Sequence, residues 1–240
     1  MAFQAGNSSG VLVAQYDVSA YLKQFQVGRQ IALLDTTTMG DTAKDFIPGL
    51  HEGKASLGGL FDGATTGYDA ILSAAFGAAT PRVITVLPSG GGTQGNRALV
   101  TKADEASYDV SSSVDGLVEA NVEFTPSAGV WGGHVAHILQ AETTATNTSS
   151  VDGAAATTSS WVANLHVTAF SGTSIAIKIQ DSADNSSWAD LSGAAFASVT
   201  AATSEQLVGA AGATVRRYTR VLWTGTFTSC TFLVALSRKA

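Results

Sequence analysis

LVEANVEFTP, residues 117–126, is the stretch whose reading decides the fold. Val118, Ala120, Val122 and Phe124 fall on one side of an extended chain, and Glu119, Asn121, Glu123 and Thr125 on the other. A strand sends successive side chains to opposite faces, so this period of two predicts a half-buried strand, apolar inside and acidic outside. FQVGRQIALL (25–34) and KASLGGLF (54–61) read the same way, and RVITVLP (82–88) is a further strand that Pro88 ends. One stretch carries the helical period. In GYDAILSAAFG (67–77), Ile71, Leu72, Ala75 and Phe76 share a stripe, and Gly77 can close the helix.

The second half of the chain is strand-like throughout. WVANLHVTAF, TSIAIKIQD, RRYTRVLWTG and TFTSCTFLVAL are rich in Val, Ile, Thr and aromatic residues, with Gly, Asn, Asp and Ser turns between them. Some ninety residues of this pattern predict a small antiparallel sandwich. Upstream of it, AETTATNTSSVDGAAATTSS (141–160) holds small and polar residues without apolar periodicity, which reads as a linker. The expected division is a first domain over 1–145, a linker over 146–160 and a sandwich over 161–240.

The totals agree with a folded chain. Its 240 residues are 45% hydrophobic and only 13% charged, too apolar for disorder. No apolar run approaches the roughly 18 residues of a membrane span. The N-terminal MAFQAGNSSGVLVAQYD shows no basic-then-apolar leader pattern, so no signal peptide is expected. Cys230 stands alone, which excludes an internal disulfide, and the N-x-[ST] sites at Asn7, Asn147 and Asn185 are then chance matches. Residues 1–145 hold 7 Lys+Arg against 14 Asp+Glu, a net of −7; residues 146–240 hold 6 against 5, a net of +1. An acidic half argues against wrapping nucleic acid, which needs clustered cations.

Several motifs have a plainer structural reading beside the chemical one. Gly90, Gly92 and Gly95 spell G-x-G-x-x-G after a strand, but NRALVTKADEASYDV follows as strand rather than helix, so a hairpin loop is expected. His134 and His137 are three apart in an extended stretch, where they face opposite sides and lack a third metal ligand. Asp181, Asp184, Asn185 and Asp190 lack the spacing of an EF-hand. Ser182, Asp184, Ser186 and Trp188 instead approach an Asp-box hairpin, in which the carboxylate ties backbone N–H groups and the indole packs beneath. Arg216, Arg217 and Arg220 are too few for a nucleic-acid track and are expected on a solvated face or against acids of a neighbour. No G-x-S-x-G elbow is present, Cys230 lies in an apolar strand, and nothing pairs a nucleophile with a base, so no enzyme, cofactor or metal is expected.

One stretch resists this account. LLDTTTMGDTAKDFIPGLHEG (33–53) reads as a long polar loop with an apolar patch, Phe46, Ile47 and Leu50, in its middle. Loops run over the surface, so the patch needs either its own core or a partner. The run over residues 17–62 resembles the major tail tube proteins of long-tailed bacteriophages. The resemblance is carried by DVSAYL (17–22), LLDTTTMGDTAKDFIPGL (33–50) and GKASLGGLFD (53–62), with YDVSSSVDGLVEANVEFTPSAG fitting the closing strands. The later sandwich is similar to the Ig-like domains that decorate such tubes.

The resemblance implies a mainly β fold: a tube-type β-sandwich or barrel with one flanking helix, followed by a small antiparallel sandwich. It implies homo-hexameric rings stacked into a hollow conduit that phage DNA crosses without specific binding. It further implies contacts with tape-measure, terminator and baseplate proteins, no membrane, and a place in the virion tail after assembly in the host cytoplasm. Phe46, Ile47 and Leu50 would then meet another subunit, and Glu119 and Glu123 would face the lumen and repel phosphate. The alternatives are the inner tube of a contractile tail or secretion-like injector, and a carbohydrate-binding module resting on Trp161, Trp188 and Trp223.

Overall fold

The computed structural model describes residues 5–74, 76–77 and 80–239, with Asn7 described by its backbone alone. Residues 1–4 of the segment read for a leader, Ala75 of the helical stripe and the Asn7 side chain therefore lie outside the described residues. The chain is mainly β. Its strands are β1 (Gly10–Val13), β2 (Tyr16–Asp17), β3 (Leu22–Asp35), β4 (Phe46–Leu60), β5 (Arg82–Leu87), β6 (Arg97–Ser111), β7 (Glu119–Pro126), β8 (Trp131–Glu142), β9 (Thr146–Asn147), β10 (Val151–Asp152), β11 (Trp161–Ser182), β12 (Ala189–Ala195), β13 (Thr203–Val208) and β14 (Tyr218–Arg238). The helix expected over 67–77 is α1 (Tyr68–Ser73), which buries Tyr68, Ile71 and Leu72, whereas Phe76 is exposed beyond its end.

The chain forms two compact units. The first takes in the chain up to Tyr21, Arg82–Thr101 and the chain from Trp131 onward; the second takes in Leu22–Pro81 and Lys102–Val130. This division departs from the expected one near residue 145, because the early strands β1 and β5 fold with the late ones. In the first unit the strand order is β12-β11-β14-β8-β6-β5-β1-β2, with β6 contributing its first residues. One cluster gathers Trp161, Leu165, Ile177, Trp223 and Phe232 around β11 and β14. A second joins Leu12 of β1 and Leu87 of β5 to Val135, Val162 and Leu233. The 146–160 segment, expected as a linker, runs along β14 instead. Thr146 and Asn147 pair with Trp223 and Leu222, Val151 and Asp152 pair with Thr219 and Tyr218, and Thr157 bridges Val215. Small polar side chains give no periodicity, yet their backbone groups pair as well as any other.

The four C-terminal strands expected from sequence are two long ones. β11 and β14 pair antiparallel from Trp161↔Arg238 to Ser182↔Tyr218. Gly172 and Gly225, which mark turns in the sequence, take φ of 146° and 141° inside this ladder. A Cβ on Gly172 would come 2.4 Å from Phe227 Cα, and one on Gly225 2.3 Å from Ser174 O, so both positions need the missing side chain. These glycines mark irregular points in continuous strands, as isolated strand glycines often do.

A buried polar chain fastens β1 and β5 to β11. Gln206 Nε2 donates to Asn164 Oδ1 at 2.9 Å, and Asn164 Nδ2 donates to Ile84 O and Thr85 Oγ1, both at 3.0 Å. Thr85 Oγ1 then stands 2.7 Å from His166 Nε2, and His166 Nδ1 stands 2.6 Å from Ala14 O. Nδ1 faces a carbonyl and so carries a proton, and in the neutral ring that burial favours Thr85 donates to Nε2. Burial pushes His166 down to about 4, against the opposing pull of the Ala14 carbonyl.

In the second unit the order is β3-β4-β7-β6. Its register puts Val27, Ala55 and Phe124 on one face, and likewise Phe25, Leu57, Val122 and Tyr108. Helix α1 is tied to this apolar face by Tyr108, whose Oη donates to Asp69 Oδ1 at 2.6 Å.

Two outcomes follow for stability. His166→Ala strands the Thr85 hydroxyl and the Ala14 carbonyl and is expected to cost about 2–5 kcal/mol in denaturant unfolding. His166 is held neutral when folded and regains its ordinary pKa of 6.5 when unfolded, so the unfolded chain takes up the extra proton. Its contribution is complete above about pH 6.5 and is lost as pH falls toward 4; in H166A that part of the pH slope disappears. A chain ended at residue 145 loses β11 and β14 and is expected to be insoluble. A soluble product with a cooperative melt would count against the shared core.

Candidate assembly surface

Phe46, Ile47 and Leu50 do not lie in a loop. They open β4, and β3 and β4 form one hairpin from Leu22↔Gly59 to Asp35↔Phe46. β7 pairs with β4 only over residues 55–60, so residues 46–54 have β3 as their sole described partner. This two-stranded length forms an arm. The connecting residues 36–45 are ordered by polar ties: Asp35 Oδ1 accepts from Thr37 N at 2.9 Å, Asp41 Oδ2 from Thr38 N at 2.7 Å, and Thr37 Oγ1 from Asp45 N at 3.0 Å. Hydrogen bonds from the Thr37 side chain and backbone hold the Asp35 carboxyl below its usual range. The Thr38 backbone and side chain do the same for Asp41.

The arm buries little of its apolar content. Phe46 is 45% exposed, Ile47 50% and Leu50 81%, and Leu33 and Leu34 are exposed with them. Leu34 faces Ile47 across one rung and Leu33 faces Pro48 across the next, so apolar groups stand on both faces of the ribbon. The patch does not fold back onto its own core. An isolated hairpin is marginal in water, and a ribbon apolar on both faces cannot cover itself. Pro48, which lacks an N–H, is at home in a strand of this edge type.

Glu119 and Glu123 project from the other face of the second unit's sheet, as the alternation predicts. Register places Gln26, Ser56, Glu123 and Ser107 on it, and likewise Gln24, Gly58, Asn121 and Asp109. The two acids are not bare. Lys23 pairs with Glu119, and Lys54 Nζ lies 2.7 Å from Glu123 Oε1. The lysines come from β3 and β4, which sequence alternation on β7 alone could not reveal. All four groups are well exposed, so each pair is worth about 0–1 kcal/mol. The face is polar and close to neutral rather than a wall of acids.

The other sequence motifs resolve structurally. The Gly90–Gly95 loop joins strands β5 and β6, so no helix follows to receive a phosphate. Gly90 takes φ of 76°, and a Cβ there would come 2.6 Å from Ser8 O. His137 is buried, stacked on Phe232 with centroids 4.0 Å apart, and its Nε2 lies 3.3 Å from Glu142 Oε1. Burial pushes His134 down to about 4, with Arg238 adding to the effect. Asp184 Oδ1 accepts from Ser182 Oγ, Ser186 N and Ser187 N at 2.8–3.0 Å, which is the expected Asp-box-like turn. Trp188 is half-buried, with the Arg220 guanidinium 4.3 Å from its ring centroid. Trp161 and Trp223 are buried in the core, so the three indoles form no solvent-facing platform for a sugar. Arg217 makes a bidentate pair with Asp152 at 2.8 and 2.7 Å, Arg216 Nε lies 3.8 Å from Asp181 Oδ1, and Arg220 donates to Gln180 Oε1 at 2.9 and 2.7 Å, so the arginines meet groups of their own chain. Burial, with Glu142 adding to it, pushes the Cys230 thiol up to about 11. Among the described residues no cluster of three His, Cys, Asp or Glu side chains could hold a metal, and no helix is long and apolar enough to cross a membrane.

No protein-family model matches the chain, and no curated protein matches it. Solved structures do. The chain is similar to a protein in the virion of a native gene transfer agent particle, at 15% identity and a TM-score of 0.43, over 53% of this chain and 97% of that one. It is similar to the SPP1 tail tube at 14% identity and 0.44, over 54% and 78%. It is similar to the SPP1 Dit protein, a hub adsorption apparatus of phages infecting Gram-positive bacteria, at 13% identity and 0.40, over 95% and 98%.

Proposed function

We propose that the chain is a structural, non-enzymatic subunit of a phage tail tube, stacking as hexameric rings into a hollow conduit for DNA within the virion. The observation that carries this is the β3–β4 arm, an ordered ribbon with Phe46, Ile47 and Leu50 open to solvent and no cover within its own unit. The resemblance of residues 17–62 to tail tube proteins names the assembly that would cover it. In this reading the face bearing Glu119 and Glu123 lines the bore. Gln, Ser and Asn side chains with two Lys–Glu pairs and Asp109 give phosphates no run of cations to hold, so DNA slides without binding.

Negative-stain images of the purified protein are expected to show rings or tubes. Phe46→Ser with Ile47→Ser should leave a cooperative melt but abolish them, since each side chain loses about 1.5–3 kcal/mol of burial at the contact. An unfolded variant, or one that polymerises normally, would remove the arm from the interface. The bore reading has its own measure. Glu119→Lys with Glu123→Lys sets four lysines together with Lys23 and Lys54, and is expected to slow DNA ejection from assembled virions. High salt should restore the rate as counterions displace Lys–phosphate contacts. Unchanged ejection kinetics at low salt would place this face away from the bore.

A further inference from the structure

A cavity of about 370 Å³ opens within the first unit between the end of β8, the residues that follow it and β14. Its rim is held by a reciprocal pair. Gln94 Nε2 donates to Ser149 O at 2.7 Å and Ser149 Oγ donates to Gln94 Oε1 at 2.6 Å, so the β5–β6 loop fixes the stretch around residue 149. A site formed before its ligand arrives loses less entropy on binding.

Glu142 is the one carboxylate in the lining, and its side chain is only 13% exposed. Among the described residues no lysine or arginine pairs with it. Its Oε1 faces His137 Nε2 and accepts from Gln140 Nε2, whereas Oε2 takes no hydrogen bond from the described residues. Burial holds His137 below its ordinary pKa, against the pull of Glu142, so at neutral pH the imidazole brings no positive charge. An enclosed carboxylate without a cation is costly. Gln140 and Asn147 turn their amide nitrogens to Glu142 Oε1 and Thr148 O and leave their oxygens free. Ile138 and Trp223 add apolar wall to the same cavity.

We propose that this cavity binds a primary alkylammonium group, with its charge on Glu142 and its carbon chain against Ile138 and Trp223. An ammonium has three N–H donors and no acceptor, which suits a lining of one negative charge and open oxygens. A calcium ion suits it less, because calcium takes about 6–8 oxygen ligands, commonly with several carboxylates. The same chemistry is offered by a free amine and by a lysine side chain of another protein.

Ligand-observed NMR titration of the full chain tests the site. n-Butylammonium is expected to bind, and n-butanol, of equal chain length without the charge, is not. Glu142→Gln is expected to weaken n-butylammonium about 10–100-fold, the scale of a hydrogen bond to a charged group. Asp104→Asn removes an exposed acid of the second unit and should leave the affinity unchanged, which controls for the net charge of −6. Thermal melts check folding; if Glu142→Gln perturbs it, Asn147→Ala at an exposed position serves, with an expected loss of about 2–10-fold. Nα-acetyl-lysine N-methylamide assigns the source: tighter binding than n-butylammonium marks a protein side chain, and weaker binding a free amine. n-Butylammonium that binds no better than n-butanol, or equally to wild type and the lining variant, overturns the site and leaves the assembly reading untouched.

Discussion

The antiparallel ladder of β11 and β14 is the constraint on which the first unit depends. It runs from Trp161 to Ser182 with register shifts near Val167 and Gly172, and one side of it carries Trp161, Leu165, Ile177 and Phe232 into a single cluster. Such a ladder buries long apolar rows, but it also carries polar residues wherever the alternation puts them. Asn164 and His166 fall among them and are fully buried. An unpaired amide or imidazole there would cost about 1–3 kcal/mol for each stranded group. The cost is offset by Thr85, Ile84 and Ala14, which lie far away in sequence. The polar pair thus requires the N-terminal strands to be present, and the C-terminal sheet is not a separable decoration.

The second unit solves a different problem with the same geometry. Across its paired rungs the four strands put apolar side chains on one face, which takes α1, and polar ones on the other. Where β7 ends, the sheet thins to two strands, and the alternation that protected the apolar side chains now displays them. The arm is therefore a consequence of unequal strand lengths: β3 and β4 continue beyond the strand that would have backed them. Threonine and aspartate ties keep the tip ordered without any apolar cover, which allows an exposed surface to be preformed rather than folded on contact. Preformed surfaces lose less entropy on association.

The separation of roles within this unit also bears on what the polar face can do. A sheet face made of Gln, Ser and Asn with two Lys–Glu pairs and Asp109 is mildly acidic and offers phosphate no run of cations. Acids on β7 meet lysines on β3 and β4 because hydrogen-bonded neighbours bring residues from distant positions side by side. Reading β7 alone counts the acids and misses the cations.

By itself the sequence determined the strand content, the two faces of LVEANVEFTP, the helix around Ile71 and Leu72, and the presence of an apolar patch at Phe46, Ile47 and Leu50. These are local properties, set by side-chain period and turn chemistry. It could not determine that Gly172 and Gly225 lie inside strands, because a glycine at positive φ reads alike in a turn and in an irregular ladder. Nor could it show that residues 146–160 pair along β14, since backbone hydrogen bonds leave no mark on side-chain pattern. The tertiary structure alone decided which strands share a core, that the patch is a strand rather than a loop, and that Lys23 and Lys54 stand beside the two glutamates. Each of those depends on pairing between segments far apart in the chain, and register across such distances is set by packing that no single stretch of sequence contains.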